Sequence, residues 1–238
     1  MWYRTLLLGI IFITSTSSAD KAVMQVEKTR VLIVPFDRVD FYSQVEVPIL
    51  LGSNGFTDDK QIYPAYKKEL IRVLGQERQN FSFFELPESE AKVLKQQVPT
   101  VHKMTPVSHY GVDLSLLRDS TLIKRYLSNF GADYILFLCR YEINTKPFIS
   151  SKSFDGSTFV NWSRHEIDYE LFNSEQKLVA MASSFTLTPR QPTDSTYLTY
   201  GVRLEGMSYA FEDLQEDIIR KEKRYKGKPI YKIKRKNK

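Results

Sequence analysis

Asn129–Tyr141 reads NFGADYILFLCRY, and the order of residue types in it decides how the chain is built. An amphipathic run ends at Phe130, Gly131 offers a helix stop, Asp133 follows, and Tyr134–Leu138 is an unbroken apolar run of strand length. A run without polar alternation fits a strand buried in the middle of a sheet. Cys139, the sole cysteine, extends it and reads as a buried, inert thiol rather than a nucleophile.

Working outward from that strand, Arg30–Phe36 (RVLIVPF) is a second continuous apolar run and makes a central first strand. SNG at 53–55 marks a turn, after which Tyr63, Tyr66, Leu70, Val73 and Leu74 recur at helical spacing opposite Lys67, Lys68, Glu69 and Arg72. NFSFFELP (80–87) predicts a strand ended by Pro87, and ESEAKVLKQQ (88–97) a short helix closed before Pro99. Residues 99–118 hold His102 and His109 and have no clear period, so a loop or short insertion is expected. Leu122, Ile123, Tyr126, Leu127 and Phe130 form the apolar stripe of the next helix, capped by Asp119 or Ser120.

Downstream, the strand that opens the argument continues to about Asn144, alternating Arg140 and Glu142 with Tyr141 and Ile143. STFVNWSRHEIDYELFN (157–173) and QKLVAMASSFTLTP (176–189) form a hairpin around the polar turn NSEQ. In the first of them Trp162, Glu166, Asp168 and Glu170 share one face, and Ile167, Tyr169 and Leu171 the other. From Tyr197 a long helix turns Leu204, Met207, Phe211, Leu214 and Ile218 inward. The order is strand, helix, strand, helix, helix, strand, strand, strand, helix. It predicts an α/β (α+β) domain: a mixed five-stranded sheet with helices packed against it.

The flanks carry different information. Arg4, the apolar core Leu6–Ile13 and STSSAD make a secretory leader over residues 1–19, cut after Ala19. Its apolar core is far short of the ~20 residues that span a bilayer. The net charge is +6, yet Arg220–Lys238 holds eleven Lys or Arg against Glu222 alone, and Arg4 adds one more positive charge. By difference Asp20–Ile219 is mildly acidic. The chain therefore divides into the leader, a single α/β domain over 20–219 and a basic tail over 220–238. Lacking a second cysteine, it forms no intrachain disulfide, and export without a disulfide framework points to a bacterial periplasm.

RVLIVPF, FSFFELPESEAKVLKQQ, FGADYILFL and YELFNSEQKLVA resemble, in this order, a superfamily of bacterial envelope domains. It includes the N-terminal domain of the Tol system's propeller protein, the curli secretion-channel family and the lipoprotein activators of penicillin-binding proteins. The resemblance spans Arg30–Ile219. The lipid-bearing N-terminal cysteine usual in the last two branches is absent, and neither channel hairpins nor a propeller has a matching segment. What the resemblance implies is a stand-alone domain that works by contacting other envelope proteins.

Candidate chemistry is sparse. SEAK (89–92) matches Ser-x-x-Lys, but the partner elements Ser-x-Asn and Lys-Thr-Gly are missing, and on a short helix the pair reads as surface. His102 and His109 lack a third ligand at metal spacing. Asp58 and Asp59 read as charges at a helix start. Ten glycines are scattered singly with neither a dinucleotide nor a phosphate-loop pattern, so no cofactor or metal is expected. The sharpest feature outside the core is the tail, where Arg220, Lys221, Lys223, Arg224, Lys226, Lys228, Lys232, Lys234, Arg235 and Lys236 are the candidate contacts to a partner or an anionic surface. Export makes nucleic acid a poor partner. The expectation is a periplasmic, non-enzymatic adaptor or assembly factor that binds a cell-envelope protein. The alternative is a periplasmic hydrolase whose site lies around His165 or residues 99–118.

Overall fold

The structure is a computed structural model that describes residues 28–76, 80–104, 108–119, 121–149, 159–187, 201–204 and 208–227. Five strands form the main path of one mixed sheet in the order β3 (Phe81–Glu85), β1 (Thr29–Val34), β6 (Tyr134–Ile149), β7 (Phe159–Asn173) and β8 (Leu178–Leu187). A short sixth strand, β2 (Phe41–Ser43), pairs with the second half of β6. β1 runs parallel to both β3 and β6, while β6, β7 and β8 form an antiparallel meander. The leader and residues 228–238 lie outside the described residues. None of the described helices is long and apolar enough to cross a membrane.

Helices cover both faces. Val31, Ile33, Leu136, Tyr141, Ile167 and Tyr169 pack with α1 (Val47–Asn54), α2 (Ile62–Leu74) and α5 (Ser208–Gly227). Leu32, Val34, Ile135, Phe137 and Phe172 pack with α3 (Glu88–Gln96) and α4 (Thr121–Phe130). Both central strands are thus apolar at successive positions because both of their faces are buried. A β-bulge between Leu138 and Arg140 then resets the alternation. Leu136 and Leu138 lie on the α2 and α5 side, and after the bulge Tyr141 and Ile143 return to it. Without the extra residue Arg140 and Glu142 would point into that core.

Gly-Ala-Asp locks the register of β1 against β6. Gly131 adopts φ +59, and the Ala132 N–H donates to the Leu127 carbonyl at 2.9 Å, closing α4 in a left-handed turn. The Asp133 N–H then donates to the Arg30 carbonyl at 2.9 Å, while its carboxylate accepts from the Arg30 N–H at 2.8 Å. One residue therefore satisfies both backbone groups of Arg30 at the entry to the parallel pair.

Three elements differ from the sequence reading. Residues 99–118 contain a second, two-stranded sheet, β4 (Thr100–Lys103) and β5 (His109–Val112), followed by a 3-10 turn at Leu114–Asp119. The ribbon is polar and largely exposed, so no burial pattern marks it. α1 was hidden because its apolar residues surround the helix rather than forming a stripe; SNG is its end, with Gly55 at φ +67. The last helix is described from Ser208 and is not continuous with Gly201, because the backbone at 202–203 is not helical; Tyr197, where the helix was expected to start, lies outside the described residues. It also runs past residue 219, through Gly227.

Candidate functional site

Two ends of the sheet bring polar groups together. At the carboxyl ends of β1 and β3 the chain leaves toward opposite faces, to α2 on one side and α3 on the other. In open α/β sheets such a divergence leaves a crevice outside the strand ends. Here it is about 500 Å³, walled by Tyr63 and Lys67 of α2, Glu88, Ala91, Lys92 and Lys95 of α3, and Thr100, Tyr110 and Val112 of the ribbon. Lys95 braces its floor: its ammonium donates to the Pro35 carbonyl at 2.6 Å and to Asp37 at 2.7 Å. Tyr63 donates to the Phe36 carbonyl at 2.9 Å. Burial, with Asp37 and Glu88 adding to it, pushes that phenol up to about 12, so it remains a fixed neutral wall.

The ribbon is moored by one carboxylate. Lys103 and His109 face each other across β4 and β5 and converge on Asp40, at 3.6 and 3.1 Å. The Lys103 side chain runs over Gly111, where a Cβ would meet its flexible end at 2.5 Å and displace it. On the opposite face of the ribbon the Tyr110 ring lies tilted against His102, with ring centroids 5.2 Å apart, and is 72% exposed. Met104 is 71% exposed, and Val101, on the Lys103 face of β4, is 43% exposed. With Val39, on the 3-10 turn against which the ribbon docks, these make four of the six large apolar side chains that are exposed among the described residues. Isolated exposed apolar residues are ordinary; these four are gathered on and beside one two-stranded ribbon.

The opposite end is charged. α5 runs antiparallel to β6: Phe211 packs on Tyr141, Asp217 accepts from the Tyr169 hydroxyl at 2.6 Å, and Glu222 accepts from the Tyr134 hydroxyl at 2.9 Å. Arg220 and Lys221 also converge on Asp217, at 2.5 and 3.3 Å. Burial raises the Asp217 pKa, but the Tyr169 hydroxyl and the two cations outweigh it and hold the carboxyl below its ordinary value. Glu222, the sole acid in the tail, is turned inward and buried. Lys223 and Arg224 are exposed beside it, and Lys226 lies on the last turn of α5. Lys228, Lys232, Lys234, Arg235 and Lys236 lie outside the described residues.

The remaining reactive residue types are dispersed. His165 sits in the core on the α5 side, where its Nε2 lies 2.9 Å from the Gly201 carbonyl and its Nδ1 3.0 Å from the Tyr141 hydroxyl. A carbonyl only accepts, so Nε2 carries the proton and Nδ1 accepts from Tyr141. Burial lowers the ring to about 4, against the opposing pull of the Gly201 bond. Together with Tyr66 and Asn54, which both donate to the Val202 carbonyl, it pins residues 201–204 to the domain. Cys139 is half-buried on the other face of the sheet, and burial pushes its thiol up, with Glu170 adding to the effect. His102 pairs with Ser108 at 2.7 Å. Ser89 and Lys92 are exposed on α3, and Asp58 caps the 3-10 turn at Asp59–Gln61. Among the described residues no three His, Cys, Asp or Glu are grouped to hold a metal.

The acidic alternation in β7 has a purpose that its pattern alone does not reveal. Arg140, delivered by the bulge, bonds Asp168 and Glu142 at 2.8 Å each and approaches Glu166 at 3.5 Å, while Arg164 reaches Glu166 at 3.2 Å. The polar face of β6 and β7 is thus tied internally by cross-strand ion pairs.

No protein-family model and no curated protein matches the chain. Among solved structures it is similar to a hypothetical protein from Chlamydia trachomatis, at 10% identity and a TM-score of 0.37, covering 83% of this chain and 97% of that one. A neuraminyllactose-binding hemagglutinin homologue from Helicobacter pylori matches at 12% identity and a TM-score of 0.36, covering 84% and 88%. A lipoprotein from Neisseria meningitidis matches at 10% identity and a TM-score of 0.30, covering 81% and 96%.

Proposed function

We propose that the chain is an exported, periplasmic, non-enzymatic adaptor that docks on another cell-envelope protein through the β4–β5 ribbon. The observation that carries this reading is the group of uncovered apolar side chains, Val39, Val101, Met104 and Tyr110, on and beside an element moored to the domain by Asp40. Covering them removes apolar surface from water at about 25 cal/mol per Å², which favours association. The leader over residues 1–19 supports export, and the resemblance of RVLIVPF and FGADYILFL to envelope domains supports the location. The basic segment from Arg220 emerges at the other end of β6. The seven residue steps from Tyr134 to Tyr141 span about 23 Å of strand, so the cations strengthen attachment to an anionic surface without competing for the ribbon.

The test compares the wild type with Met104→Ser/Tyr110→Ser by crosslinking and mass spectrometry in native envelopes. Loss of a captured envelope protein in the variant, with folding intact, is the expected result. Equal capture by both chains overturns the ribbon as the docking element.

A further inference from the structure

We infer that the crevice beneath the ribbon takes the carboxyl-terminal end of a peptide whose last side chain is apolar. The inference deepens the docking reading, on which it rests, by naming the partner's chemistry. A volume of about 500 Å³ falls in the range of small-ligand sites and accommodates a few residues. Its three lysines are balanced by Asp37, Asp40 and Glu88, so a polyanion such as a nucleotide finds no net positive field.

The cations are not equivalent. Lys95 is held by Asp37 and Pro35, and Lys67 lies 3.9 Å from Glu85. Lys92 is exposed on α3 and makes no ion pair within 4.0 Å among the described residues. A single available ammonium matches a single terminal carboxylate. Tyr63, fixed by its bond to Phe36, and the largely uncovered Tyr110 ring offer aromatic walls for an apolar last side chain. Glu88, one turn before Lys92, offers acceptors for the peptide's own N–H groups. Extended peptides read in this way combine a captured carboxylate with a side-chain pocket.

The probe is acetyl-Ala-Ala-Leu with a free carboxylate, titrated into the leader-free chain by calorimetry beside its C-terminal amide. Saturable binding of the acid is expected, weakened about tenfold or more in the amide and in Lys92→Gln, as loss of a charge-assisted bond implies. Tyr110→Ser weakens it as well. Equal binding of acid and amide, no saturation at millimolar peptide, or an unaltered affinity in Lys92→Gln overturns the assignment. If the peptide fails while Met104→Ser/Tyr110→Ser still abolishes envelope capture, the crevice assignment falls and the docking reading stands. If that double variant also captures normally, both fall.

Discussion

The two ends of the sheet are built on opposite plans. At the amino end of β6 the polar groups are turned inward: Asp133 takes both backbone groups of Arg30, Tyr134 holds Glu222, and Asp217 gathers Tyr169, Arg220 and Lys221. At the carboxyl ends of β1 and β3, one carboxylate, Asp40, moors a ribbon that presents Met104 and Tyr110 outward. The first end stabilises the domain, and the second leaves apolar side chains in water, where they add nothing to its stability. That difference is what the docking proposal rests on.

If the contrast is right, perturbations in the core and at the amino end alter stability, and perturbations of the ribbon do not. The largest effect belongs to His165, between the two ends. Its ring is lowered to about 4 when folded, against about 6.5 in an unfolded chain. As pH falls below about 6.5 the unfolded chain takes up a proton that the folded ring refuses until about 4, so stability is lost across that window, on the order of 3 kcal/mol. Urea unfolding of wild type and His165→Gln at neutral pH and near pH 4.5 isolates this contribution. The stability gap between the two chains should shrink or reverse in acid, and parallel curves would show that His165 is not held neutral.

Next is Asp133→Ala, expected to cost about 1 kcal/mol in urea unfolding, because the Arg30 N–H loses an exposed, charge-assisted bond. No loss of stability would mean that the clamp is ornamental and the contrast between the ends overstated. The smallest effect on stability is expected from Met104→Ser/Tyr110→Ser, within about 0.5 kcal/mol of wild type. A large destabilisation there would make the ribbon's apolar residues part of the core and remove their claim to a partner.

How much of each end is legible in the sequence follows from the same contrast. The amino end rests on local signals: the stripe Leu122–Phe130, the stop at Gly131 and the run Tyr134–Leu138 lie within twenty residues and report burial directly. The five strands of the main sheet and the inward faces of α2 and α4 follow from those periodicities; the strand order does not. The carboxyl end is assembled from residues far apart in the chain. Asp40 meets His109 across 69 positions, and the crevice joins α2, α3 and β5, none of which carries a pattern that names its partner. Only the pair Lys103 and Gly111 leaves a trace in the sequence, and a glycine in a short polar ribbon is too common to decode. The bulge before Arg140 is equally silent, since an extra residue in a strand appears only when the register with β7 is known.

Position-specific photocrosslinking measures the central claim most directly. A benzophenone side chain is placed at Tyr110 in one chain and at Glu175, in the exposed turn between β7 and β8, in another, and both are irradiated in native envelopes. The account predicts a discrete adduct with an envelope protein from position 110, absent from position 175 and lost when Met104 is also changed to Ser. Adducts of equal yield from both positions, or none from position 110, would contradict it.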